Sequence, residues 1–274
     1  TRLEQFQHTF QKRIAEKLRD KIDFKPEITD LKQGCTSRGV GLLSGILCSK
    51  IEPSTVEMSR MPWATIEAVV DTSPYVATIT EILETSVPVI RKWLTDCPGI
   101  TSKHWSLFLD VFVTRISVMH LGALYRCKRI SEVGAQALLL DLSCLRSLFT
   151  KLPVLGTPEA STAIATADDP AFAGSSAAAA GPPQSPGKSG ELTRWAKFVD
   201  GALKKAEVLL KVILAAPETL ALTYRALMPT GNLETLNKII DLKGMSKQER
   251  QSVIDTFQQA VAAAGQPSTD GTPA

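Results

Sequence analysis

The stretch SPYVATITEILETSVPVIRKWLTDCPG, residues 73–99, decides the fold class. Ser73 is a capping residue type, and Pro74 suits the first helical turn, where an amide hydrogen has no intrahelical partner anyway. Apolar side chains then return at steps of three and four through Ile79, Leu83, Ser86, Ile90, Trp93 and Cys97. That is the period of an amphipathic helix with one face to bury. Pro88 predicts a kink and Pro98-Gly99 a stop.

The same period repeats outward in both directions. Upstream, Leu3, Phe6, Phe10, Ile14 and Leu18 mark a helix of about 22 residues, roughly 33 Å long, whose stripe needs a covering partner. Pro26 opens a second helix that reaches Lys50 and, past Pro53, Met61. Gly34, Gly39, Gly41 and Gly45 inside it each cost about 1 kcal/mol against alanine and predict a close helix–helix approach. Downstream, one helix carries Trp105, Phe108, Phe112, Ile116, Met119 and Ala123. The next starts at Ser131 and carries Leu138, Leu142, Leu145 and Phe149. Order resumes at Leu192 with Trp195, Phe198, Ala202, Ala206, Leu209 and Ile213. Shorter helices follow over 217–227 and 232–242, the latter stopped by Gly244. The last opens on the capping box Ser246-x-x-Glu249 and carries Val253, Ile254, Phe257 and Val261. No alternating strand pattern competes, and no fixed repeat marks a regular solenoid. The expected class is all-α, with helical bundles in tandem.

Residues 153–190 break the pattern: Ala, Ser, Gly, Pro and Thr dominate, large apolar side chains are almost absent, and a disordered loop is expected. The expected organisation is therefore a first bundle over 1–98, a second over 99–263 interrupted by the loop 153–190, and a flexible tail over 264–274. A helical pattern that begins at Thr1 without a methionine reads as part of a longer protein.

Composition excludes several functions. With 44% hydrophobic and 22% charged residues and a net charge of +3, the chain is ordinary globular sequence without the clustered basic face of a nucleic-acid binder. Five widely spaced cysteines, Cys35, Cys48, Cys97, Cys127 and Cys144, fit reduced thiols of the cytosol. The apolar run Val208–Ala216 is too short to cross a bilayer and no signal sequence is read. Gly39-Val40-Gly41 with Gly45 departs from the dinucleotide spacing and lies in helical sequence. The three histidines, His8, His104 and His120, form no zinc-ligand pattern, although His120 and Cys127 are seven apart. His104 and Asp110, six apart on one helix, point in different directions. Glu81 and Glu84 read as a solvated face, and Asp168-Asp169 fall in the loop. No catalytic residue, cofactor site or metal site is assigned. Trp63, Trp93, Trp105 and Trp195 are expected mostly in the core. Lys197, Lys204, Lys205 and Lys211 form a modest basic cluster.

Several strings resemble a known family: Met58–Trp63 (MSRMPW), Asp71–Val76 (DTSPYV), Val87–Arg91 (VPVIR), Cys127–Ala135 (CKRISEVGA), Leu138–Asp141 (LLLD), Lys204–Val212 (KKAEVLLKV) and Lys238–Gly244 (KIIDLKG). Together they resemble the C-terminal half of the vacuolar-protein-sorting fifty-three subunit of the Golgi-associated retrograde protein (GARP) tether, which is shared with the related endosomal complex EARP. The resemblance runs from Met58 to about Phe257. It implies a non-catalytic subunit of an elongated helical tether that captures endosome-derived vesicles at the trans-Golgi network, with its C-terminal rod projecting towards the vesicle. It further implies sister subunits as partners, contacted mainly through other parts of the subunit, and a cytosolic protein peripherally bound at trans-Golgi and endosome membranes. A connection of nearly forty residues after the fifth helix departs from the family's shorter one and reads as an insertion.

For a recognition face contacting a vesicle protein or lipid, the candidates are Lys211, Lys238, Asp241 and Lys243, charges that bracket an apolar helix end. The alternatives are a helical scaffold outside membrane traffic and, more remotely, a helical nucleotide-binding domain.

Overall fold

The computed structural model describes residues 2–14, 16, 24–69, 71–96, 102–156 and 186–264. Within them the chain forms α1 (Arg2–Arg13), α2 (Lys25–Arg60), α3 (Pro74–Asp96), α4 (Ser102–Leu124), α5 (Glu132–Lys151), α6 (Pro186–Leu214), α7 (Pro217–Leu227), α8 (Leu233–Lys243) and α9 (Lys247–Ala264). No strand occurs among the described residues. The fold is all-α, as the periodicity requires.

Caps set the boundaries. Ser131 begins α5, its Oγ accepting from the Gly134 amide at 3.0 Å. Asn232 begins α8 by accepting from the Thr235 amide at 2.9 Å, and Gly244 ends it in the left-handed conformation at φ +68°. The expected capping box of α9 forms in both directions: the Ser246 amide donates to Glu249 at 2.8 Å, and the Glu249 amide donates to Ser246 at 3.3 Å. Such reciprocal bonds satisfy amides that have no carbonyl partner at a helix start.

The core is continuous. Buried apolar residues from Val40 to Phe257 make one cluster. The long α2 packs chiefly on α4 and then on α3, α6 packs on α5 and α4, and α7 packs on α9. The two bundles expected at 1–98 and 99–263 thus share an interface, mostly α2 against α4. Two helical segments, Lys103–Leu124 and Glu132–Lys151, are long and apolar enough to cross a membrane, a property the sequence reading passed over. Half of each is buried inside the fold, where Phe108, Phe112 and Ile116 of α4 and Leu138, Leu142 and Phe149 of α5 fill the core.

A loop links α2 to α3 and is pinned to α5 at two points. The indole of Trp63 is fully buried and donates to the Met58 carbonyl at 2.8 Å. Its carbonyl accepts from the Ser131 hydroxyl at 2.8 Å and the Ser131 amide at 3.3 Å. About three turns further along α5, the buried Asp141 carboxylate accepts from the Ser73 amide at 2.8 Å, at the start of α3. Arg91 of α3 in turn donates to the Pro153 and Leu155 carbonyls, at 2.6 and 3.2 Å, and lies over the Trp105 ring.

Several expectations need correction. The α3 face departs from the heptad reading after Leu83: Val87, Ile90 and Leu94 are buried, whereas Trp93 is 59% exposed. A stripe read at 3.5 residues per turn drifts by about 20° per heptad on a straight helix, which carries Trp93 and Ser86 off the buried face. Phe6 and Phe10 of α1 stack on each other 5.6 Å apart and stay 55% and 40% exposed, and Phe24 lies 6.5 Å from Phe6, so among the described residues the α1 stripe is only partly covered. The glycines of α2 admit no neighbouring backbone: Gly34 and Gly39 face open space, while Gly41 and Gly45 lie beside the Arg115 side chain. The expected disordered loop 153–190 is trimmed at both ends, because 152–156 forms turns and α6 begins at Pro186; its centre, 157–185, lies outside the described residues. The tail after Ala264 also lies outside them, as do Leu18, Cys97, Pro98 and Gly99.

Gly134 meets the Trp63 carbonyl so closely that a Cβ there would overlap the carbonyl oxygen. Gly134→Ala is expected to cost about 1–3 kcal/mol in urea unfolding, as overpacking against backbone does. Gly39→Ala, which faces open space, should instead add about 0.5–1 kcal/mol by removing helix-interior glycine. Equal shifts in the two variants would contradict this packing.

Candidate functional site

The four charged residues singled out from sequence occupy two helices, Lys211 on α6 and the other three on α8. Lys211 lies on α6, half-exposed, and binds Glu207 one turn earlier at 2.6 Å. Glu207 also receives Arg146 of α5 at 2.5 Å, and Arg146 reaches Asp200 at 3.0 Å. The hydrogen bond from Lys211, reinforced by Arg146, holds the Glu207 carboxyl below its ordinary range. On α8, Lys238 pairs with Glu234 at 2.8 Å, and Asp241 pairs with Arg250 of α9. Lys238 and Asp241 are three residues apart and share an exposed face. Lys243 is two residues beyond Asp241, about 200° further round the helix, and points the other way.

Lys243 is a structural cation. Its side chain is 11% exposed, and Nζ donates to the Ile213 and Ala215 carbonyls at 2.8 and 2.6 Å, with Glu132 3.9 Å away. It therefore caps the C-terminal carbonyls of α6, where helix-dipole charge favours a cation. Burial lowers its pKa, against the nearby carboxylates of Glu132, Glu218 and Glu249, which raise it. This removes Lys243 from the proposed recognition face, since its donors already point into the protein.

The core also encloses titratable groups, of which the sequence reading weighed only His120 and Cys127, as possible metal ligands. Asp141, His120 and Tyr75 are buried, and the Tyr75 and His120 rings stack 6.5 Å apart. Burial, and then the charge of Asp141, push the Tyr75 phenol well above its ordinary value. Burial lowers His120 to about 4 and pushes the Cys127 thiol up to about 11. At neutral pH this cluster holds a neutral imidazole, a phenol and a thiol, so nothing in it is poised to attack or exchange a proton. Cys48, Cys127 and Cys144 are free thiols. Among the described residues no three His, Cys, Asp or Glu side chains gather to hold an ion. A further sequence signal for the cluster is Asp141, a carboxylate on the apolar side of α5 at a position spaced like Leu138 and Leu145.

What these helices belong to is answered by comparison along the chain. A protein of Arabidopsis thaliana, vacuolar protein sorting-associated protein 53 A, is 32% identical over 253 residues, covering 89% of this chain and 26% of that protein. The vacuolar protein sorting-associated protein 53 homolog of Caenorhabditis elegans is 26% identical over 258 residues, covering 92% of this chain and 28% of its own length. The chain belongs to the vacuolar protein sorting-associated protein 53 family. A second Arabidopsis relative, vacuolar protein sorting-associated protein 53 B, is 41% identical over 63 residues, 23% of this chain and 11% of that protein. No family model matches the chain, and no solved structure does. The chain spans about a quarter of the length of the two relatives that match it throughout.

Two measurements check these assignments. Lys243→Met should lose about 1–3 kcal/mol of unfolding free energy, because two helix-end carbonyls lose their donor. Lys211→Ala, whose pair is half-exposed, should stay within about 0.5 kcal/mol, and Lys238→Ala should leave the unfolding midpoint at the wild-type value. For His120, the unfolded chain takes up a proton near 6.5 while the folded protein resists until about 4. Acid between those values therefore favours unfolding, by on the order of 3 kcal/mol from this group. Denaturant midpoints should fall from pH 6.5 to 4, and His120→Leu should flatten that part of the profile.

Proposed function

We propose that this chain is the non-catalytic C-terminal rod of a subunit in a multisubunit tether of the GARP and EARP kind, which captures endosome-derived vesicles at the trans-Golgi network for retrograde transport. The observation that carries the reading is the match to vacuolar sorting relatives along about nine-tenths of the chain. The architecture fits a tether. A tether needs length and a recognition surface, and α2 alone, at 36 residues, extends about 54 Å. The titratable groups support a body without chemistry: those on the surface are ion-paired at Glu207, Glu234 and Asp241, and those in the core are sealed and neutral or hydrogen-bonded. The two longest apolar helices help build the core, which supports a cytosolic subunit held peripherally at trans-Golgi and endosome membranes, with no transmembrane segment.

In this reading, sister subunits bind mainly through other parts of the full-length subunit. A vesicle protein or lipid meets the second bundle near Lys211, Lys238 and Asp241. No cofactor and no nucleic acid take part. The two-bundle division at 1–98 and 99–263 belongs to the same proposal, the loop 153–190 being an insertion in the second bundle.

The test uses cells that lack the subunit and are rescued with the full-length protein. Removing this region should leave the sister subunits co-assembled while retrograde cargo fails to return to the Golgi. Lys211→Glu with Lys238→Glu should weaken cargo return at an unchanged protein level. Normal cargo return after the region is removed would defeat the tethering role. Normal return in the double variant alone would defeat the proposed face.

A further inference from the structure

Alongside α2 runs a second exposed surface, remote in sequence from Lys211 and Lys238. Leu42 and Ile46 sit one turn apart on the outer face of α2 and are 68% and 59% exposed. They line an open groove of about 950 Å³ that extends from Arg38 to Lys50 and is walled on the α4 side by Arg115. Its floor is made of small residues, including Gly41 and Gly45, and the guanidinium of Arg115 lies across them with one N–H on the Gly41 carbonyl at 2.9 Å. Arg38, Lys50 and Arg115 are the charged residues lining the groove, and no carboxylate lines it. Twelve residues of helix separate Arg38 from Lys50, a length of about 18 Å or just over three turns.

We infer that this groove receives an acidic amphipathic α-helix from a partner protein, with leucine-like side chains on Leu42 and Ile46 and carboxylates reaching Arg38, Lys50 and Arg115. Three features select that occupant. The charge is of one sign, so the partner must be acidic. The exposed apolar residues repeat at helical spacing, matching anchors set at i, i+3/4 and i+7 on a docked helix. The Arg115 guanidinium lies across the glycines, so the floor of the groove is itself cationic and meets an acidic side chain of the docked helix. The same glycines cost α2 intrinsic stability, with nothing packed over Gly39 in return. Docking here is independent of the trafficking role, because it rests on this surface alone.

The binding test uses the whole chain and a fluorescent peptide of about 18 residues built from leucine, alanine and glutamate, with leucines on one face and glutamates flanking them. A twin peptide carries lysine for glutamate, and vesicles of phosphatidylserine and phosphatidylcholine form a third arm. Anisotropy should show the glutamate peptide binding at least about tenfold tighter than its twin, and weaker as salt is raised. Leu42→Asp with Ile46→Asp, and separately Arg38→Glu with Lys50→Glu, should each weaken binding about fivefold or more. These positions are exposed, so unfolding midpoints should stay at the wild-type value, and the two pairs report independently. Equal affinity for both peptides, or unchanged affinity in both variants, would overturn the inference. Vesicle binding that depends on Arg38 and Lys50, without peptide binding, would overturn it in favour of a membrane surface.

Discussion

Everything in the fold turns on how the backbone between α2 and α3 is held against α5. A helix start leaves amides without partners, and a buried loop leaves carbonyls without donors; each is costly unless the other supplies it. Ser131 and Trp63 answer both needs at once. Ser131 accepts from the Gly134 amide while its hydroxyl and amide donate to the Trp63 carbonyl. The contact requires glycine at 134, since any side chain there would occupy the space of that carbonyl. Asp141 repeats the arrangement at the other end of the loop by holding the Ser73 amide beside the positive end of α3. With both points fixed, α3 is set against α5, while α2 packs on α4 and α3 and α6 packs on α5 and α4.

The second half is locked by related means. The Leu242 carbonyl accepts from the Ile130 amide at 2.7 Å, Gly244 lies beneath Arg129, and Lys243 reaches past both to the end of α6. Three elements distant in sequence therefore meet around the segment that leads into α5. The residues that make these contacts lie in the strings that resemble the tethering family, from MSRMPW through CKRISEVGA to KIIDLKG. Those strings thus carry much of the packing of the body, and their charges serve the fold before any partner.

A buried histidine, tyrosine and aspartate in one core would invite a catalytic reading in a protein with a cleft. Here burial sets the protonation state of two of them. Desolvation drives His120 to its neutral form and Tyr75 to its phenol, while Asp141 spends one oxygen on a backbone amide. Such groups fix the register of the packed helices and make stability sensitive to acid. At the surface Glu207, Glu234 and Asp241 are held in ion pairs, while the groove of α2 is lined by cations and no carboxylate.

The sequence by itself determined the helices, because three-to-four spacing and capping chemistry are local. Ser131, Asn232, Gly244 and the Ser246/Glu249 box mark ends that the structure keeps, and the buried face of α5 follows its apolar stripe. Only the tertiary structure decided which charges were free. Lys243 and Lys238 look alike in sequence, yet one is enclosed by the end of α6 and the other stands in solvent, since burial depends on which distant helix lies alongside. Trp93 and the α2 glycines were misread for the same reason. A helical period says that a face exists, but the partner across it decides whether that face is covered, and that partner lies far along the chain.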